Sequence, residues 1–336
     1  AREQTYVHTF YKKEATAQQP ATSKEEGNLV AFSGPDFKAT FDKQSGLLTS
    51  YLYKKHEYIL NGQGPRPFFW RAPTDNDYGA NLPVRLKAWK EASYQEPKAE
   101  SFQVTPGSNA TTVKVTYRFP QTEARWNITY KIYASGVIKV DNRFMAEGDQ
   151  APMIPRVGLR MQLPESFTDL TYYGRGPKEN YRDRRTSQFI GEYAIPVKDM
   201  YEPYVRPQEN NHRTDIYWCA LTDKTQRGLL LIADRTFELN ASNYPLESMD
   251  SGDTIDNGAP RTEKTHHRHL TDPLPEKMVD LFIDYRMMGV GGDDSWGATA
   301  HEPYLIRPGK ENAIEYGFSL VPFDKKEDYK YLIQQY

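Results

Sequence analysis

The residues best suited to chemistry lie in a short stretch near the carboxyl end of the chain. Residues 289–296 read Gly-Val-Gly-Gly-Asp-Asp-Ser-Trp. The glycines suit a tight, exposed turn, and an indole after Gly-Gly-Asp-Asp fits a loop better than a strand face. An exposed indole offers a flat apolar face to the C–H side of a sugar ring, a contact worth on the order of 1–3 kcal/mol. From the residues alone, burial of Trp296 in the core is the favoured interpretation, because tryptophan usually packs, and stacking on a sugar is the alternative.

A second group of carboxylates lies between Asp75 and Gly79. Asp75, Asp77 and Gly79 resemble the opening of a calcium-binding loop. The glutamate that such a loop needs at its twelfth position is absent, because Leu86 stands there. The sequence predicts a turn whose carboxylates bind nearby backbone.

Three histidines could suggest a metal site. His266, His267 and His269 are separated by one and two positions, so in a strand only His267 and His269 would point to the same side. Arg268 between them adds repulsion. We predict a structural or subunit-contact role for these histidines and no metal site.

Three further carboxylates, Glu179, Asp183 and Glu209, are candidates for acid/base work. Two carboxyl groups can act together as acid and base only where the fold brings them close to each other, which the sequence does not establish. Acidic residues beside arginines are more often ion-paired loop residues. We predict that role here and assign no catalytic residue to this chain. The neighbouring arginines are Arg175, Arg184, Arg206 and Arg213.

The elements that position these residues are predicted to be strands. Apolar and polar residues alternate with period two along Val113–Phe119, Trp126–Ile132 and Ile314–Leu320, a pattern typical of half-buried antiparallel strands. Turn signals occur at residues 44–46, 134–136 and 251–253, and residues 42–46 predict a hairpin.

Helix is predicted only over Leu82–Ser93, where Leu82, Leu86 and Trp89 have helical spacing and Pro83 suits a first turn. Without alternation of strands and helices, neither a (β/α)8 barrel nor a doubly wound sheet fits. The sequence therefore predicts an all-β chain.

Domain boundaries follow from composition. Residues 1–11 contain one isolated strand and are predicted to be the last strand of a preceding domain. Residues 12–28 are polar, with no apolar period, and are predicted to be a linker. Residues 29–336 form one predicted β domain, large enough for an extended two-sheet sandwich.

Composition excludes several functions. The net charge is −2 with both signs interspersed, which argues against nucleic acid as a partner. No apolar run approaches the roughly 20 residues that span a bilayer, and no signal peptide is expected at the start. The single cysteine, Cys219, has apolar neighbours and predicts a buried, inert thiol.

Four stretches resemble one known family: residues 69–79, residues 174–184, residues 200–210, and residues 267–270 together with 288–296. In this order they look like the C-terminal domain of bacterial β-galactosidases of glycoside hydrolase family 2. That domain is also the small chain of two-chain β-galactosidases. The resemblance covers about residues 29–323 and implies a large antiparallel β-supersandwich of the galactose-mutarotase-like type. The opening strand resembles the end of the immunoglobulin-like domain that precedes it in that family.

The resemblance also implies site roles. In the family, the acid/base glutamate, the nucleophile and a magnesium site belong to a separate barrel domain, and no segment here matches them, so we expect no cofactor in this chain. Trp296 matches the tryptophan on which the leaving-group sugar stacks. Gly79 lies where the family has a mobile loop that closes near the substrate. We add Asp77 and Asp294 to this substrate-binding set.

The resulting function prediction is a non-catalytic part of a β-galactosidase that acts on terminal β-D-galactosides such as lactose. The chain would complete the aglycone side of the active site, support assembly of an oligomer, and have the barrel domain or large subunit as its partner. Two alternatives stay open. One is a stand-alone hexose mutarotase or epimerase, which needs an acid/base pair such as His with Glu; the other is a carbohydrate-binding module. The compartment, bacterial cytoplasm or periplasm, is left open.

Overall fold

The computed structural model describes residues 18–148, 152–251, 269–294, 297–310, 312–324 and 329–335. The strands are β1 (Thr22–Glu26), β2 (Leu29–Ser33), β3 (Phe37–Asp42), β4 (Leu48–Tyr53), β5 (His56–Glu57), β6 (Arg66–Phe68), β7 (Ala99–Thr105), β8 (Thr111–Phe119), β9 (Ala124–Ile132), β10 (Ile138–Ala146), β11 (Arg156–Pro164), β12 (Asp169–Gly176), β13 (Phe189–Pro196), β14 (Arg213–Thr222), β15 (Gly228–Ser242), β16 (Met278–Met287) and β17 (Ile314–Phe323). The helices are α1 (Asp75–Gly79), α2 (Leu82–Arg85), α3 (Lys87–Tyr94) and α4 (Tyr329–Ile333). Among the described residues, none of these helices has the length and apolar character needed to span a membrane.

The strands form two antiparallel sheets. The smaller has the order β1-β2-β3-β4-β5, in which every strand pairs with its neighbour in sequence. The larger has twelve strands, and its main path runs β13-β12-β14-β15-β17-β10-β9-β8-β7. The prediction of an all-β chain built from antiparallel sheets is confirmed.

The large sheet divides at β15. The first part of this strand pairs with β17, from Gly228 to Ala233, and its second part pairs with β16, from Glu238 to Ser242. β16 continues the second branch to β11, and β11 to β6. The second part of β15 therefore lies antiparallel beside residues 280–284 of β16, and the segment that follows β16 carries the predicted sugar-stacking loop.

The core lies between the two sheets. Phe41 of the small sheet packs edge-on against Tyr130 of the large sheet, with ring centroids 5.0 Å apart. In β8 and β9 the residues alternate between buried and partly exposed, so each strand sends one face inward. Burial of the apolar face of each strand supplies the main stabilisation of such a sandwich. The strand predictions from period-two alternation are confirmed, as is the hairpin at residues 42–46 between β3 and β4.

Two predictions about elements need correction. The expected helix over Leu82–Ser93 is two helices, α2 and α3, with Leu86 as the residue between them at φ −111°. The expected linker contains strand β1, which pairs along its whole length with β2. All five residues of β1 are exposed, so this edge strand lacks the apolar alternation that marks a strand in sequence. The predicted strand before residue 12 and the second and third residues of the 251–253 turn lie outside the described part of the chain.

Cys219 fulfils its prediction. It lies in β14 and is completely buried, as its apolar neighbours predicted. Burial raises the pKa of the thiol well above its ordinary value, so the thiolate that would react is suppressed.

Candidate functional site

The segment that follows β16, residues 288–291, is anchored through its main chain. Arg71 donates from Nη1 to the carbonyl of Met288 at 2.7 Å and from Nη2 to the carbonyl of Gly289 at 3.0 Å. Asn76 donates from its amide to the carbonyl of Val290 at 3.2 Å. The base of the predicted loop is therefore fixed by residues some 215 positions earlier in the chain.

Asp77 holds Arg71 in place. Its two carboxylate oxygens accept from Nε and Nη2 of Arg71 at 2.9 and 2.7 Å, and Oδ2 also accepts from the backbone amide of Thr74. The hydroxyl of Thr74 in turn accepts from the amide of Asp77 at 3.2 Å, which completes a capping box at the start of α1. Burial alone would lower the pKa of Arg71, but the charge of Asp77 and its hydrogen bonds outweigh that effect and raise it.

This geometry changes the expectation for Asp77. The side chain is buried and its oxygens are occupied by Arg71 and Thr74, so it positions Arg71 instead of contacting a substrate. The rejected calcium loop is in fact a short helix whose carboxylate binds local backbone, as the sequence predicted, with Arg71 as an additional partner.

Asp183 anchors the same segment from a second direction. Its Oδ1 accepts from the amide of Val290 at 3.2 Å and its Oδ2 from the amide of Gly291 at 2.7 Å. A Cβ on Gly289 would lie 2.6 Å from Oδ2 of Asp183 and 2.8 Å from the Cβ of Ala300, closer than real Cβ atoms approach. Glycine at position 289 thus lets the backbone lie directly against this carboxylate.

The remainder of the loop is closed by its own carboxylates. Oδ1 of Asp294 accepts from the amides of Gly297 and Ala298 at 3.1 and 3.2 Å, as in an Asx turn. Asp293 contacts the imidazole of His301 at 2.8 Å. Ser295 and Trp296 lie outside the described residues, so the sugar-stacking prediction for Trp296 stays a prediction.

Gly79 meets this loop. A Cβ placed on Gly297 would lie 3.4 Å from the carbonyl oxygen of Gly79. The two segments that carry Gly79 and Asp294 therefore come together, as the sequence-based site requires. Their contact with a substrate remains a prediction, and Asp294 uses one oxygen to shape the loop.

A cleft of about 340 Å³ lies beside the anchored segment. Its lining comes from all four family-resembling stretches of the sequence. The lining residues are Thr74, Asp75, Asn76, Tyr181, Asp183, Arg184, Tyr204, Gln208, Glu209, Val290 and Gly291.

Beneath the cleft lies a group of buried charges. Arg156 contacts Glu209 and Asp284, each at 3.2 Å, and all three side chains are fully buried. One guanidinium thus faces two carboxylates. Burial raises the pKa of Asp284 well above its ordinary value. The charges of Glu238 and Glu209 raise it further, and the charge of Arg156 only partly opposes this. A carboxyl group buried beside other carboxylates holds its proton more tightly than it would in water.

A buried histidine–carboxylate pair adjoins these charges. His212 contacts Oε2 of Glu238 at 2.9 Å, and the same oxygen accepts from the amide of Met287 at 2.7 Å. Arg182 donates to the other oxygen of Glu238. Burial would raise the pKa of Glu238, but the hydrogen bond and charge of His212, together with Arg182, outweigh it and lower the pKa. The ring of Tyr181 stacks on His212 with centroids 5.4 Å apart.

The carboxylates weighed from sequence have three different partners. Glu179 pairs with Arg184 and Glu209 with Arg156, which confirms the ion-pair interpretation for both. Asp183 binds backbone amides of the loop instead of an arginine, because chain topology brings residues 183 and 290 together. His269 is exposed and its amide donates to Asp272, while His266 and His267 lie outside the described residues.

Sequence reasoning missed His212 and Glu238. Their pairing joins the residue before β14 to β15 across 26 positions, and neither has a diagnostic neighbour. Arg71 was also missed as the central anchor, although its spacing of six from Asp77 could have suggested an ion pair across the start of α1.

Comparison with known proteins identifies related sequences. The family model described as β-galactosidase small chain matches residues 33–320. A β-galactosidase from Priestia megaterium is 33% identical over 291 residues, which are 86% of this chain and 26% of that protein. One from Lactobacillus delbrueckii subsp. bulgaricus is 32% identical over 308 residues, 89% of this chain and 28% of that protein. The chain spans about a quarter of the length of these curated relatives.

Among solved structures, galactose 1-epimerase from Lactobacillus acidophilus NCFM superposes with a TM-score of 0.49 and 6% identity. The superposition covers 92% of this chain and 99% of that chain.

Proposed function

The chain belongs to the β-galactosidase small-chain family, and from that membership we propose that it is the accessory part of a β-galactosidase. In this proposal the acid/base and nucleophile residues lie in a partner, either the barrel domain or the large subunit. This chain completes the leaving-group side of the pocket with Trp296 and Gly79 and supports assembly of an oligomer. The substrates are terminal β-D-galactosides such as lactose.

The observation that carries the proposal is the anchoring of residues 288–291. Arg71 and Asn76 come from the first family-resembling stretch and Asp183 from the second, and together they fix the base of the loop that bears Trp296. A loop that carries a sugar-stacking side chain binds best when it is already ordered, because the entropy lost in ordering the loop on binding would weaken the complex. Three anchors on a rigid sandwich supply that preorganisation.

The length of the related proteins supports the placement of the catalytic residues outside this chain. The curated relatives are β-galactosidases almost four times as long as the matched region, which leaves ample chain for a separate catalytic domain. The described residues contain no group of three His, Cys, Asp or Glu side chains that could hold a metal. We propose that the magnesium site of the family lies in the partner.

The direct test is reconstitution. The purified chain is assayed on a chromogenic β-galactoside alone, and then mixed with the catalytic part from the same source. We expect no turnover by the chain alone and an increase in turnover on mixing that saturates with added chain. Turnover by the chain alone would contradict the accessory role.

The alternative of a hexose mutarotase or epimerase has one supporting observation, the contact between His212 and Glu238. Such chemistry needs an acid/base pair that reaches the sugar. Both side chains are at most 1% exposed and neither lines the cleft, so the accessory role is the better supported function. Polarimetry separates the two, because a mutarotase would speed the interconversion of α- and β-galactose at micromolar chain concentration.

A further inference from the structure

We propose that the cleft bounded by Tyr181, Tyr204 and Glu209 is a second sugar site, which takes one neutral hexose without a contribution from the Trp296 side chain. This inference does not rest on the accessory role. It concerns binding by this chain alone, through residues that neither the family resemblance nor the sequence-based site assigned.

The first support is a pair of unpartnered polar atoms. Glu209 and Tyr181 are the deeply buried acidic and aromatic members of the cleft lining, with 3% and 1% of their surfaces exposed. Oε2 of Glu209 and the hydroxyl of Tyr181 have no hydrogen-bond partner. Buried polar atoms are normally satisfied, and one left alone carries a free-energy cost. A ligand hydroxyl that enters the cleft and hydrogen-bonds to either atom would remove that cost for it.

The second support is the charge of the cleft, which selects among ligands. Its carboxylates are Asp75, Asp183 and Glu209, whereas its one cationic side chain, Arg184, is already paired with Glu179. Arg156 pairs with Glu209 and Arg206 lies 3.8 Å from Asp75, so Asp183, which binds backbone amides, is the carboxylate of this lining that disfavours a uronate or a sugar phosphate. A carboxylate oxygen only accepts hydrogen bonds, so it favours a ligand rich in neutral hydroxyl groups.

The third support is shape and surface. A volume of about 340 Å³ is at the lower end of the roughly 300–1,000 Å³ typical of small-molecule sites, which suits a single sugar ring. Tyr204 is half-buried and presents aromatic surface for the C–H groups of the ring. Gln208 adds a planar amide whose donor and acceptor suit two adjacent hydroxyls.

The experiment titrates the full chain with D-galactose, D-glucose and D-glucuronate, followed by calorimetry and saturation-transfer NMR. We expect a single site for a neutral hexose with a dissociation constant of about a millimolar. Glucuronate should bind at least about tenfold more weakly because of the carboxylate of Asp183 in the lining. No hexose binding at tens of millimolar, or equal binding of glucuronate, would overturn the proposal.

A matched pair of tyrosine variants locates the site. Tyr181→Phe removes only the unpartnered hydroxyl and should weaken hexose binding about three- to tenfold. Tyr130→Phe removes an equally buried, equally unpartnered hydroxyl from the core between the sheets, and binding should not change. Loss of binding in both variants, or in neither, would contradict a site in this cleft.

Glu209→Gln tests the contribution of the carboxylate to hexose binding, provided that thermal melting shows that the variant is folded. It should weaken hexose binding more than Tyr181→Phe does, because charge-assisted hydrogen bonds are about twice as strong as neutral ones. These titrations need no catalytic partner, whereas the accessory role is tested only in its presence. Failure of one proposal is therefore distinguishable from failure of the other.

Discussion

Arg71 and Asp77 form a two-point ion pair, with nitrogen–oxygen distances of 2.9 and 2.7 Å, inside the protein. The pair links two levels of structure. Asp77 belongs to the capping box of α1, and Arg71 donates onward to the carbonyls of Met288 and Gly289. A local feature of one helix therefore sets the position of a loop more than 200 residues away.

Breaking this pair should destabilise the chain. Asp77→Asn leaves the guanidinium of Arg71 buried without its counter-charge, which we expect to lower the free energy of unfolding by about 3–5 kcal/mol. Urea denaturation at neutral pH measures the loss. The control is Glu302→Gln, which removes an exposed two-point pair with Arg307 and should change stability little. Equal losses in the two variants would show that the Arg71 pair does not act as described.

Asp183 should control the order of the loop base. Asp183→Ala removes the acceptor of two amides, and we expect the exchange protection of Val290 and Gly291 to fall at least about tenfold. Hydrogen exchange followed by NMR or mass spectrometry measures it. Asp223→Ala removes a carboxylate that similarly accepts from the amides of Thr225 and Arg227, and it should affect only that turn. Unchanged protection at residues 290 and 291 would contradict the anchoring role.

Trp296 should act only in the assembled enzyme. Trp296→Ala is expected to weaken binding of the leaving-group sugar by about 1–3 kcal/mol and to alter the share of galactosyl transfer to glucose. Steady-state kinetics on lactose, with analysis of transfer products, measures both. Trp296→Tyr keeps an aromatic face and should restore part of the effect. Unchanged kinetics in Trp296→Ala would remove this residue from the site.

How far the sequence predicted the structure depended on the range of the interactions. Val113–Phe119 was recognisable as a strand because one face is buried and alternation records that burial. Strand β1 was not, because all of its residues are exposed and the strand forms through pairing with β2 alone. The contact of Asp183 with Gly291 spans 108 positions, and its prediction would require knowing the order of strands in the large sheet.

The raised pKa of Asp284 leads to a pH prediction. Burial is the main cause, so the folded chain holds this proton more tightly than the unfolded chain does. The contribution of Asp284 to stability is therefore complete below its unfolded pKa of about 4, and is lost as pH rises toward the folded value. Asp284→Asn is neutral throughout. It should stabilise the chain at pH 7 and have little effect near pH 4, as measured by urea midpoints.

Asp223 provides a control of opposite sign. Burial would raise its pKa, but hydrogen bonds from Thr225 and Arg227 outweigh that effect and lower it. Asp223→Asn should therefore reduce stability at neutral pH, with a difference that shrinks as the pH falls through the lowered pKa. A matching pH profile in the Asp223 and Asp284 variants would contradict both assignments.

Cys219 should be chemically silent in the folded chain. Because burial raises the pKa of its thiol, we expect no reaction with a thiol reagent under native conditions and one equivalent in denaturant. The rate of labelling at low denaturant then reports opening of β14. Rapid labelling of the native chain would show that this strand is accessible.

The anchoring of residues 288–291 has an evolutionary consequence. The five hydrogen bonds described for this segment all end on its carbonyls and amides, not on its side chains. Positions beyond the anchored segment can therefore mutate without loosening the attachment. Apart from Asp293 and Asp294, whose carboxylates bind within the loop, side chains beyond the base can be exchanged during evolution while the attachment of the base persists.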